Sequence, residues 1–132
     1  ISAGGMLAID ESLTGEDQQK VLDFARPSTA LYVGGMGARG KNFYNDICKS
    51  YGFEKEAVEI QDLYLDGKKQ EAAAKVPSEW LLNSHLVGPK NFVKERLAAF
   101  KESGVTVISV NPIGPDAVQQ VELLRSLIDD VR

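Results

Sequence analysis

Pro89 to Val110 reads PKNFVKERLAAFKESGVTVISV, and this stretch decides the fold class. Pro89 suits the first position of a helix, where its missing N–H is no loss. Phe92, Val93, Leu97 and Phe100 recur on one helical face, and Gly104 stands where a helix ends. Val105 to Val110 follows as a β-branched apolar run, which favours a strand covered on both faces, as in a parallel sheet. Asn111-Pro112-Ile113-Gly114-Pro115 then reads as a loop. A last helix from Asp116 onward is expected to bury Val118, Val121, Leu124 and Leu127. Helix, strand, loop and helix in that order form a unit of α/β proteins.

A buried parallel strand needs a neighbour, and upstream only Met6-Leu7-Ala8-Ile9 qualifies. Most of what lies between is helical in pattern. Thr14 and Asp17 approximate a capping box ahead of Val21, Leu22, Phe24 and Ala25. Pro27 predicts a break or kink near Ala25-Arg26, after which Ser28 to Val33 resumes. Gly34, Gly35, Gly37 and Gly40 interrupt that second run. From Asn42 to Tyr51 the spacing of Phe43, Ile47 and Tyr51 predicts a further helix with those residues inward. Helices are also expected over about Glu54 to Leu65, over Lys68 to Val76, and as a short turn after Pro77 holding Trp80, Leu81 and Leu82. The expectation is an α/β chain, mostly helical, with about two parallel strands.

The densest cluster of chemistry is Leu31 to Tyr44, LYVGGMGARGKNFY. Glycines let backbone N–H groups approach an anion, and Arg39 and Lys41 could neutralise it. Yet there is no GxxxxGK[ST] and no strand directly before the cluster. The competing reading is a tight helix-to-helix connection with cations facing solvent, and spacing alone favours it. His85, the one histidine, and Cys48, the one cysteine, both read as structural, since neither has a sequence partner for catalysis or a disulfide. Glu59, Asp62 and Asp66 at helical spacing read as a solvated face. No His, Cys and Asp set has ligand spacing, so no metal is expected.

The 132 residues suffice for one core, and 43% apolar with 26% charged residues is ordinary for a globular protein. A net charge of -4 gives no support for a nucleic-acid-binding face. No apolar run has the length of a membrane span, and a lone cysteine suits a reducing cytoplasm. Ile1-Ser2-Ala3-Gly4-Gly5 reads as though the chain were entered mid-protein.

Three long segments carry a resemblance. ARPSTALYVGGMGARGKNFYNDI, EIQDLYLDGKKQEAAAKVP and LVGPKNFVKERLAAFKESGVTVISV together are similar to the C-terminal region of luciferase-like oxidoreductases, closest to the branch using the deazaflavin coenzyme F-420. The resemblance covers nearly all of Met6 to Val110. It implies the C-terminal part of a (β/α)8 TIM barrel, with residues 1–132 a fragment of one barrel domain. Residues 14–84 would be the helical insertion and residues 89–131 the final helix-strand-helix. Met6 to Ile9 would end the seventh strand and Val105 to Val110 would be the eighth. In such barrels the active site lies at the C-terminal strand ends, here Asp10-Glu11-Ser12 and Asn111-Pro112-Ile113-Gly114.

The implied reaction is hydride transfer between the deazaflavin and a small organic substrate, in a cytoplasmic enzyme that forms a homo-oligomer and is inactive as this fragment. Arg39, Lys41, Asn42 and Tyr44 match the family's motif and are expected to border the substrate or the cofactor tail; no catalytic acid or base is assignable. Flavin mononucleotide (FMN) in a monooxygenase is the alternative cofactor reading. A non-catalytic helical interaction module is the alternative of another class.

Overall fold

A computed structural model describes all 132 residues and divides them into two compact units. One joins Ile1–Leu22 to Leu81–Arg132, and the other is Asp23–Trp80.

The first unit is built on parallel strands. β1 (Ser2–Ala3) and β2 (Met6–Ile9) are one run interrupted at Gly4-Gly5. β1 pairs with β4 (Val107–Ile108), Ser2 opposite Val107. β2 pairs with β5 (Asn111–Pro112) on one side and with β3 (Leu86–Gly88) on the other. Glycine is required at the break, because Gly4 has φ of +134° and a Cβ there would strike the carbonyl of Ser109.

Met6–Ile9 is a parallel strand as expected, but its downstream partner is Asn111–Pro112, while Val107–Ile108 pairs with Ser2–Ala3; three further expectations are corrected. Leu86–Gly88 is a further strand beside Met6–Ile9, where the sequence offers Met6–Ile9 alone. Asn111–Pro112, read as loop, extends the ladder instead. Only Val107–Ile108 of the apolar run is strand, and Val107 is 55% exposed, so that strand is not covered on both faces. With the order β3-β2-β5 the strand earliest in that sheet is central.

Side chains complete the ladder where strands run out. Met6 N–H donates to His85 Nδ1 at 2.9 Å. At the far end Gly114 and Pro115 carry the chain away from β2, and the amide of Gln120 takes over. Ile9 N–H donates to Gln120 Oε1 at 2.6 Å, and Gln120 Nε2 donates to the Ile9 carbonyl at 3.1 Å. Gln18 Nε2 donates to the Val87 carbonyl at 2.8 Å, on the edge of β3. Buried backbone groups require such partners.

Leu7, Ile9, Leu86, Val93, Leu97, Leu124 and Leu127 form the core between this sheet, α7 (Lys90–Glu102) and α8 (Ala117–Val131). The expected α7 face is confirmed at Val93 and Leu97. That of α8 is half wrong: Leu124 and Leu127 are buried, Val118 and Val121 are 69% and 47% exposed. Residues three apart drift by about 60° around a helix of 3.6 residues per turn, so four residues separated by three such steps cannot share a face. The real stripe is Gln120, Leu123, Leu124, Leu127 and Ile128, headed by the residue that holds Ile9.

The second unit is helical. A 3-10 turn at Asp23–Ala25 leads into α2 (Arg26–Gly35), which puts the break where Pro27 predicts it; α1 (Gly15–Leu22) precedes it in the first unit. α2 continues through Gly34 and Gly35, correcting the interruption expected there. α3 (Phe43–Ser50), α4 (Glu54–Leu65) and α5 (Lys69–Ala74) follow, and α6 (Ser78–Ser84) begins at the end of this unit. α3 is turned differently from expectation. Asn45 and Cys48 face inward, while Phe43 and Tyr51 are 69% and 62% exposed. Tyr51 and Phe53 instead pack their rings against Trp80.

Two consequences of burial are measurable. Burial, which disfavours the charged ring, pushes the His85 imidazole below its ordinary 6.5, and Nδ1 accepts the Met6 N–H in its unprotonated form. The unfolded chain then binds the proton more readily, so stability is lost as pH falls below about 6.5 toward the lower folded value. Urea denaturation between about pH 7.5 and about pH 5 should show this loss, and His85→Gln, which keeps an acceptor but does not titrate, should flatten it. A wild-type curve with the same pH dependence as His85→Gln would refute the assignment. Burial also raises the Cys48 thiol to about 11, Glu56 adding to the effect and Lys49 opposing it. Aromatic disulfide reagents should leave Cys48 unlabelled until the chain is unfolded in urea; rapid labelling of the native chain would contradict the buried placement.

Candidate functional site

The Leu31 to Tyr44 segment is shaped first by packing. A Cβ at Gly34 would sit 2.6 Å from Tyr64 Cβ, and one at Gly35 would sit 2.5 Å from Tyr64 Cε1. These glycines let α2 and α4 approach closely. A Cβ at Gly37 would strike the Lys41 carbonyl, where the chain folds back on itself. Lys41 N–H donates to the Ala38 carbonyl at 2.9 Å, closing a turn, and Gly40 takes φ of +76°. Three of the four glycines are thus accounted for by close packing, as the plainer sequence reading favoured.

Asn42 locks the turn to what precedes and follows it. It is 1% exposed and caps α3, its Oδ1 accepting from Tyr44 N–H at 3.0 Å and Asn45 N–H at 3.1 Å. Its Nδ2 donates to the carbonyls of Tyr32 and Val33, both at 3.0 Å. A carboxamide has two donors and two acceptor lone pairs, so Asn42 has nothing left for a ligand. Asn45 adds a second buried amide, donating to the carbonyls of Val33 in α2 and Ala57 in α4.

The other three expected site residues point outward. Arg39 pairs with Asp62 at 2.9 Å, but both side chains are more than half exposed. Such a pair is worth only about 0–1 kcal/mol and can be exchanged for a better anion. Lys41 is exposed and makes no ion pair. Tyr44 packs edge-on against Tyr32 at 4.9 Å and Phe43 at 5.6 Å. Tyr32, Phe43 and Tyr44 are all at least 42% exposed, forming an aromatic surface that the sequence reading missed. A capping asparagine directly before an amphipathic run was the signal for it, since the cap fixes which side of α3 turns inward.

In the sheet-bearing unit, the C-terminal ends of β2 and β5 carry Asp10-Glu11-Ser12 and Ile113-Gly114. Asp10 accepts from Ser12 N–H at 2.8 Å and from its hydroxyl at 2.5 Å, which holds the carboxyl below the usual range. Glu11 accepts from Lys90 N–H at 3.3 Å, at the start of α7. Gln120, at this end, is engaged by the Ile9 backbone, while His85 is held at the opposite end of β2 by Met6 N–H. No group of three or more His, Cys, Asp or Glu is placed to hold a metal ion. No helix is long and apolar enough to cross a membrane.

Comparison with known proteins supplies what this geometry lacks. Residues 11–107 match the family model of luciferase-like monooxygenases. A Mycobacterium tuberculosis protein bearing the name Putative coenzyme F-420-dependent oxidoreductase is 30% identical over 109 residues. That alignment takes in 83% of this chain and 31% of the relative, so the chain spans about a third of that protein's length. No solved structure gives a match. With most of its length inside the family model, the chain belongs to the luciferase-like monooxygenase family.

Proposed function

We propose that this chain is the C-terminal part of a (β/α)8 barrel enzyme that transfers a hydride between coenzyme F-420 and a small organic substrate. The observation that carries this reading is the likeness to a protein named for that coenzyme, over 83% of the chain. The deazaflavin supplies the hydride chemistry, and the protein positions and shields it. In this reading residues 14–84 are the helical insertion and residues 89–131 the closing helix-strand-helix. The chain alone is inactive, and the whole protein is a cytoplasmic homo-oligomer; the single unpaired thiol of Cys48 supports the compartment.

Within the Leu31 to Tyr44 segment the roles divide. Arg39 and Lys41 are the contacts to the anionic cofactor tail or an anionic substrate group, since one is held only by an exposed carboxylate and the other by none. Tyr44 borders the same place with its half-exposed ring. Asn42 serves the site from inside, by fixing where those side chains start.

Fluorescence titration of the full-length protein with coenzyme F-420, and separately with FMN, tests both levels. Saturable binding of F-420 and not of FMN is expected. Arg39→Ala and Lys41→Ala should each weaken that binding about 5- to 10-fold, or about 1–1.4 kcal/mol, without moving the melting temperature. Asn42→Ala should instead cost about 2 kcal/mol of stability by orphaning buried groups. Preference for FMN would overturn the cofactor, and unchanged affinity in both cation variants would overturn the site.

A further inference from the structure

The sheet-bearing unit has a cavity of about 260 Å³ between the C-terminal turns of α7 and α8 and the residues that lead into β4. It therefore opens at the N-terminal ends of the strands, the end opposite Asp10 and Ile113. Leu97 and Phe100 from α7, Ile108 from β4 and Ile128 from α8 supply apolar wall. Apolar walls hold water poorly, and a space of this size matches on the order of eight or nine water-sized groups at about 30 Å³ each. Two cations belong to the lining, Lys101 and Arg132. Lys101 Nζ donates to the Val131 carbonyl at 2.8 Å, which uses one of its three protons and leaves two. Arg132 stands 3.6 Å from Asp129, an exposed and weak pairing that Arg125 also draws on.

We propose that this cavity binds a short aliphatic carboxylate, its chain against Leu97, Phe100, Ile108 and Ile128 and its head on Lys101 and Arg132. An apolar space with positive charge at its edge is complementary to a molecule of that polarity, and hexanoate, with about eight non-hydrogen atoms, is of the right size. The site is separate from the cofactor reading, and its test does not use cofactor or turnover.

The probe is sodium hexanoate added to the full chain, followed by methyl NMR. Saturable shifts of the Ile108 and Ile128 methyls are expected, while those of Ile60, in the other unit, stay put. Lys101→Gln, an exposed substitution that leaves the core intact, should weaken hexanoate at least threefold but leave 1-hexanol unchanged. Ile128→Phe should fill the cavity and abolish the shifts, its fold checked by the remaining methyl spectrum. Non-saturating shifts, equal shifts in every methyl, or a Lys101→Gln variant that binds hexanoate as the wild type does would each overturn the proposal.

Discussion

Met6–Ile9 is buried in the middle of a sheet too small to pair it along its whole length, and the rest of its unit is arranged around that shortage. Leu7, Ala8 and Ile9 are all less than a tenth exposed, so none of their backbone groups can turn to water. β3 and β5 satisfy the middle of the strand. His85 and Gln120 satisfy its two ends. Each of these side chains is placed by an element it helps to dock: His85 by the chain entering β3, Gln120 by the first turns of α8. The hydrogen-bond requirement of one strand thus sets where α8 begins its stripe, and through that stripe which leucines close the core.

The helical unit meets the same requirement with amides. Asn42 and Asn45 bring polar side chains to the centre of α2, α3 and α4, where carbonyls at the end of α2 and within α4 accept from them. Once those amides face inward, the aromatic residues on the other side of α3 must face outward. Exposure of Phe43 and Tyr44 follows from the cap, and the position of the cap follows from the turn that Gly37 allows. Gln61 is a third buried amide in this unit, and its Nε2 has no hydrogen-bond partner in the structure.

These same constraints explain what could be read in the sequence. Helix positions were legible because Pro27 and Gly104 act locally: a ring-fixed φ without an N–H suits the start of a helix, and a left-handed φ ends one, whatever surrounds them. Helix faces were less legible, because an apolar residue does not reveal whether an amide has claimed the inner side. Phe43, Ile47 and Tyr51 keep perfect helical spacing and still lose that side to Asn45 and Cys48. Strands were hardest. Leu86–Gly88 is three residues long, too short to show a period, and its identity comes from pairing with residues 79 positions away. Val105 to Val110 had the opposite fault, a strong β signal longer than the ladder that forms there.

The candidate site divides along the same line. Gly34, Gly35, Gly37 and Asn42 looked like a ligand cradle because small and polar residues crowd together, yet helix crossing, turn closure and capping account for each of them. Removing them leaves Arg39, Lys41 and the tyrosines as the part of the motif that folding does not demand. Arg39 is tied only by an exposed pair, and Lys41 by nothing. A segment whose interior is so fully engaged while its cations stay exposed fixes the position of those cations to within the play of their own side chains. That is preorganisation supplied by packing.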